Sequence, residues 1–81
     1  MIKDRTLDWL INYFSKKGVI PDNIETVNYF EAGLIDSLGV VILIEEVELE
    51  FNIKFNEDHF QDRRFTTLKG LSDIINNLKM S

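Results

Sequence analysis

Ile35-Asp36-Ser37-Leu38-Gly39-Val40 opens an acidic, apolar-rich segment that runs to Phe51, and its reading decides the fold. Asp36 suits a helix N-cap, because a short carboxylate accepts hydrogen bonds from first-turn amides that have no intrahelical partner. Ile35 before the cap and Val40 four positions into the helix have the spacing of a hydrophobic staple. The helix therefore begins after Asp36, with Ser37 in its first turn. A hydroxyl there is exposed, sits at the positive end of the helix dipole and has free amides beside it, a setting that accommodates a phosphate ester. A serine is also an ordinary way to start a helix, so position alone assigns no chemistry.

A wheel at about 100° per residue separates two apolar stripes on this helix. Val40, Leu43, Ile44, Val47 and Phe51 form one side and are the expected core face. Leu38, Ile42 and Leu49 lie on another, with Glu45 among them, Val41 nearby, and Glu46 and Glu48 flanking. A bundle helix needs one buried face, so the second stripe is excess. An apolar strip rimmed by acids has the composition of a docking surface, with Leu38, Val41, Ile42, Glu45, Glu46, Glu48 and Leu49 as its expected residues. The competing reading is that a long neighbouring loop covers the strip.

Outward from this helix, the chain reads as all-α, a small four-helix bundle of three main helices and one short one. A first helix is expected from about Lys3 to Lys17. Ile2, Leu7, Leu10, Ile11 and Phe14 face inward, Trp9 and Tyr13 lie on its flank, and Lys16, Lys17 and Gly18 stop it. Residues 19–35 form a loop containing Pro21, the one proline. A loop of that length must pack, through Val19, Ile24, Val27, Tyr29 and Phe30. A short helix at about Glu57–Gln61 is capped by Asn56, with Phe55 and Phe60 as a second staple. A last helix starts near Thr66 or Thr67 with Leu68, Leu71, Ile75 and Leu78 inward. Gly70 within it costs about 1 kcal/mol relative to alanine.

The 81 residues support one domain, expected to span 1–81, with one core. There is no cysteine to supply disulfides or thiolate ligands, and His59 is the single histidine. Stability must come from packed side chains, each contributing about 1.5–3 kcal/mol when fully buried. Asp58 and Asp62 do not make a calcium loop, lacking its glycine and terminal glutamate. No metal site and no paired-carboxylate or nucleophile-base constellation is readable, so the chain is expected not to be an enzyme. His59 is expected to be a surface residue of the short helix, and Trp9 a packing residue. With neither a membrane-spanning run nor a signal-peptide pattern, a cytoplasmic, monomeric protein that is not membrane-inserted is expected.

The net charge of −5 is unevenly placed. Residues 1–18 carry four basic and two acidic side chains, whereas residues 36–51 carry five acids and no base. Nucleic acid is an unsuitable partner for such a face, and a basic protein surface is the complement.

Tyr29-Phe30-Glu31-Ala32-Gly33-Leu34-Ile35-Asp36-Ser37-Leu38, opening an acidic helix in a chain of this length, resembles the acyl carrier protein family, which includes peptidyl and D-alanyl carriers. The resemblance extends over essentially the whole chain. It implies that Ser37 receives 4′-phosphopantetheine from coenzyme A through a separate phosphopantetheinyl transferase, with Asp36 and Leu38 at the attachment site. The arm's thiol would then hold an acyl or aminoacyl group as a thioester. The chain would be a stand-alone carrier presenting that cargo to partners: an adenylating ligase or acyl-loading enzyme, and a downstream acyltransferase or synthase. Fatty-acid-synthesis carriers typically have acids where this chain has Gly39 and Ile42. The stretch Gly33 to Gly39 looks closer to D-alanyl carriers and to specialised biosynthetic carriers. The alternative is an unmodified helical adaptor of the same fold that uses the apolar strip alone.

Overall fold

The computed structural model describes residues 5–80, in which four α-helices and one 3-10 turn follow in chain order. They are α1 (Arg5–Ser15), α2 (Ser37–Phe51), α3 (Glu57–Gln61), the 3-10 turn Arg63–Thr66, and α4 (Leu68–Met80). The all-helical bundle matches the expectation, and the radius of gyration of 11.9 Å is that of a close-packed chain of this length. The 3-10 turn was not anticipated.

Helix α1 ends at Ser15, two residues before the expected Lys17. Lys16 and Lys17 lie beyond it in a closing turn, held by bonds from Lys16 N to Asn12 O and from Lys17 N to Phe14 O, both 3.1 Å. The expected start at Lys3 and the packing of Ile2 lie outside the described residues. Leu10 and Phe14 are buried, while Leu7, Trp9, Ile11 and Tyr13 are partly buried against the core. Thr6 is a buried polar residue on this apolar side. Its hydroxyl donates to Asn76 Oδ1 at 2.7 Å and accepts from Lys79 Nζ at 3.3 Å, fastening α1 to α4.

Helix α2 buries Leu43, Ile44 and Val47 and half-buries Val40 and Phe51, as its first stripe requires. It ends at Asn52, whose left-handed conformation (φ 54°) turns the chain. The amides of Asn52 and Ile53 both bond to Glu48 O. Asparagine is among the few non-glycine residues that adopt this conformation readily.

Helix α3 has the expected bounds and cap: Asn56 Oδ1 accepts from His59 N at 3.3 Å. His59 is more than a surface residue. Its Nδ1 accepts from Asn56 N at 3.0 Å, completing a reciprocal capping box, and its ring meets Phe55 edge-on. The Phe55 and Phe60 rings stand 6.1 Å apart, and both pack on Phe65.

The long loop packs, though not through every expected residue. Ile24 and Tyr29 are buried, whereas Val19 is 97% exposed and contributes nothing to the core. Backbone bonds from Lys69 N to Glu25 O (3.0 Å) and from Tyr29 N to Thr66 O (3.1 Å) tie the loop to the head of α4.

That head starts at Leu68, one residue later than the later of the two expected starts, with Thr67 Oγ1 accepting from Gly70 N at 3.0 Å. Leu68, Leu71 and Ile75 are buried as expected, joined by Ile74 and Ser72. Gly70 is not simply a weak helix residue. A Cβ there would overlap the Arg64 carbonyl and come within 2.6 Å of the Arg64 Cα, so the glycine is what lets the 3-10 turn press against α4. In an open helix Gly→Ala stabilises by about 1 kcal/mol. Here Gly70→Ala is expected to destabilise by about 1–3 kcal/mol through overpacking, read as a lower urea midpoint.

Candidate functional site

The approach to α2 is built by one turn that a buried side chain anchors. Asn28 Oδ1 accepts from the amides of Phe30 (3.0 Å) and Glu31 (3.1 Å), starting the turn. It closes with bonds from Gly33 N to Phe30 O and from Leu34 N to Tyr29 O, the paired pattern of a Schellman motif. Gly33 occupies the left-handed position, at φ 72°, where a side chain would be strained. Tyr29 is fully buried, and its hydroxyl donates to Phe65 O. Burial raises the pKa of that phenol, so it stays a protonated donor.

Asp36 then takes extended backbone geometry and caps α2, its Oδ1 accepting from Gly39 N at 2.7 Å. Val40 N bonds to Asp36 O at 3.0 Å, so the Ser37 and Leu38 amides are the first-turn donors left without an intrahelical acceptor. Ser37 is exposed at the first helical position. An open groove of about 370 Å³ lies beside this turn, lined by Lys17, Gly33, Leu34, Ile35, Asp36 and Gly39. Gly39 is crowded: a Cβ there would stand 2.8 Å from Ile35 Cγ1 and 3.1 Å from Asp36 Oδ1, against the capping carboxylate.

The second stripe of α2 is bare rather than covered by the loop. Leu38 is 70%, Val41 54%, Ile42 45% and Leu49 84% exposed, with Glu45 and Glu46 also at the surface. Glu48 is not part of this rim. It is half-buried, and its carboxylate accepts from Phe55 N at 2.9 Å, which makes it the tether between α2 and the start of α3.

Sequence reasoning brought together Asp36, Ser37 and Leu38, which adjacency guarantees. It missed three contributors: Asn28, which initiates the approach turn, Tyr29 as an anchor rather than generic packing, and Lys17 on the groove wall. Asn28 was detectable, since asparagine ahead of two aromatics and a glycine is a turn signal. Lys17 was not, because only the return of α1 toward the head of α2 places it there.

Among the described residues no cluster of three or more His, Cys, Asp or Glu side chains is arranged to hold a metal, and no helix is long and apolar enough to cross a membrane. The site has an accessible hydroxyl, two free amides and no base of its own. Such a group can be esterified by another enzyme, and the amides fit a phosphodiester placed on it.

The family model for a phosphopantetheine attachment site matches residues 8–75. No curated protein and no solved structure gives a match.

The cap is testable independently of any ligand. Asp36→Ala is expected to cost about 1 kcal/mol of stability, through loss of the bond to the Gly39 amide. Asp36→Asn should recover most of it, with both read from urea unfolding followed by circular dichroism.

Proposed function

The chain belongs to the phosphopantetheine attachment site family of carrier domains, whose members are non-catalytic and carry 4′-phosphopantetheine, and we propose that Ser37 is the residue that bears the arm here. The observation that carries this reading is the exposed hydroxyl of Ser37, held at the first position of α2 by the Asp36 cap and flanked by two amides without intrahelical acceptors. Ser37 Oγ would be the nucleophile that a phosphopantetheinyl transferase sets against the pyrophosphate of coenzyme A. The hydroxyl proton would pass to a base on the transferase, with the Oγ–P bond forming as the P–O–P bond breaks and adenosine 3′,5′-bisphosphate leaves. When bound, the arm supplies a thiol that holds cargo as a thioester. This chain's own residues hold the phosphodiester at a helix N-terminus and keep it open to solvent. Asp36 and Leu38 complete the attachment site, the first by fixing the turn and the second as an apolar contact for enzymes that approach Ser37.

The cargo is an acyl or aminoacyl group, delivered by a loading enzyme and collected by a downstream acyltransferase or synthase. Gly33, Gly39 and the apolar first half of α2 support a carrier nearer the D-alanyl and specialised biosynthetic types than the fatty-acid-synthesis type. Partners dock on Leu38, Val41, Ile42 and Leu49, with Glu45 and Glu46 steering a basic surface onto the strip. That strip alone would also serve an unmodified adaptor, and the two readings separate on a single modification.

Incubation with coenzyme A and a broad-specificity transferase is expected to raise the intact mass by one phosphopantetheine, and Ser37→Ala to abolish the gain. Labelling that survives the substitution would overturn the assignment to Ser37. Ile42→Glu places a charge in the strip without touching the core. It is expected to raise the KM of the cognate loading enzyme about tenfold or more, the scale of one to two kcal/mol lost at an interface, with helix content unchanged. Unaltered loading kinetics would remove Ile42 from the docking surface.

A further inference from the structure

Lys17 is the one basic side chain on the wall of the groove beside the attachment turn, where Gly33, Leu34, Ile35, Asp36 and Gly39 form the rest of the lining. Asp36 is the one acid there, and its Oδ1 already accepts from Gly39 N at 2.7 Å. Lys17 also borders a larger groove of about 810 Å³ between α1 and α2, whose lining includes Trp9, Tyr13, Ile42 and Glu46. Its ammonium stands 4.9 Å from the centroid of the Tyr13 ring and forms no ion pair with a carboxylate among the described residues. The Glu46 carboxylate, the anion nearest that ring, is engaged by the Tyr13 hydroxyl.

The base of this side chain is fixed, while its tip is free to move. Lys17 N bonds to Phe14 O at 3.1 Å. Phe14 is buried, and its ring packs on Tyr29 with centroids 5.5 Å apart. Tyr29 also begins the turn that delivers Asp36 and Ser37, since its carbonyl accepts from Leu34 N at 3.0 Å. One pair of aromatic rings therefore holds Lys17 and the approach to Ser37 in register. An ammonium on a flexible four-carbon stem can pivot across a groove mouth without any backbone movement. The contact it gives up, a cation over the ring of a partly exposed tyrosine, is among the weaker ones. A phosphodiester offers more, because it carries a full negative charge and accepts charge-assisted hydrogen bonds.

The charges at the groove change when Ser37 is esterified. Without a phosphate, Lys17 and Asp36 balance. With one, two anions stand beside the first turn of α2, and the free amides of Ser37 and Leu38 supply partial charge only. We infer that Lys17 is a positioning residue for the phosphodiester, its ammonium leaving the Tyr13 face to donate to a non-bridging phosphate oxygen. This rests on Ser37 bearing the arm. The pairing supplies from within the chain a cation that each partner enzyme would otherwise have to bring. It also leaves the apolar strip bare, since Leu38 does not line the groove from which Lys17 reaches.

The test is a cycle between loading and substitution on the full chain, with mass spectrometry establishing the presence or absence of phosphopantetheine. Lys17 is exposed and lies beyond α1, so it can be replaced without disturbing the core. At low ionic strength, Lys17→Gln is expected to lower the folding equilibrium constant about threefold more in the loaded chain than in the unloaded one, the scale of an exposed ion pair, as read from urea unfolding. Salt at about 0.5 M is expected to erase the difference, because exposed charges are then screened. Lys17→Arg keeps the charge and is expected to keep the coupling. The phosphorus NMR resonance of the loaded chain is expected to move in Lys17→Gln and to return toward its original position in Lys17→Arg. A substitution that costs the same in loaded and unloaded chains would overturn the pairing and leave Ser37 as the carrier residue. A wild-type chain that takes up no arm removes the reading beneath the inference, and the inference with it.

Discussion

The position of Ser37 depends on a tyrosine eight residues before it. Tyr29 is buried, its amide donates to Thr66 and its hydroxyl to Phe65, so both ends of one residue are bonded to the 3-10 turn that leads into α4. A loop of this length without such an anchor would leave the head of α2 free to swing, because each unpinned backbone residue retains about 1–2 kcal/mol of conformational entropy. The Schellman closure at Gly33 and the Asp36 cap then carry a fixed direction from Tyr29 to the first turn of α2. The seat of Tyr29 depends in turn on Gly70, which admits the 3-10 turn against α4. Two glycines and a tyrosine, none with chemistry of its own, thus determine where the hydroxyl points.

Helix α2 reconciles two demands by dividing its circumference. The stripe of Leu43, Ile44 and Val47 secures it to the core, and Leu38, Ile42 and Leu49 on the far side stay in water. Leaving those three exposed forgoes burial worth about 1.5–3 kcal/mol for each large side chain. Such a face persists where it is covered intermittently by a ligand or partner rather than permanently by the fold. The acids interleaved with it keep the bare face soluble between encounters.

What the sequence made legible follows the range of each interaction. The Asp36 and Asn56 caps, the bounds of α3 and the two faces of α2 are set within a few residues of one another, so local spacing specified them. The 3-10 turn was not legible, because its course depends on the fit of Arg64 over Gly70 and on Tyr29 from the loop. Thr6 reads as a polar interruption of an apolar face until Asn76, seventy residues on, supplies its acceptor. Glu48 reads as one more surface acid, yet its carboxylate is spent on the Phe55 amide. Trp9 and Tyr13 were legible as flank residues, but the groove they line exists only where α2 lies beside them.

Gly39 connects the mechanics of the cap to the electrostatics of the site. A side chain there would press on Ile35 and on the carboxylate that fixes the first turn. An acidic side chain would also bring a negative charge beside Ser37, where a phosphodiester would already carry one, and like charges at such spacing repel by about 1 kcal/mol even in water. With glycine at 39 and isoleucine at 42, α2 keeps its helical acids to Glu45 and beyond, in its lower part. The helix dipole and free amides would then act on a phosphate at Ser37 opposed only by the capping carboxylate of Asp36. A partner meets a bare apolar surface near Ser37 and a negative one further down. On the proposed reading its basic groups would be drawn to the lower part of α2, while its apolar groups would seat on Leu38 and Ile42 next to Ser37.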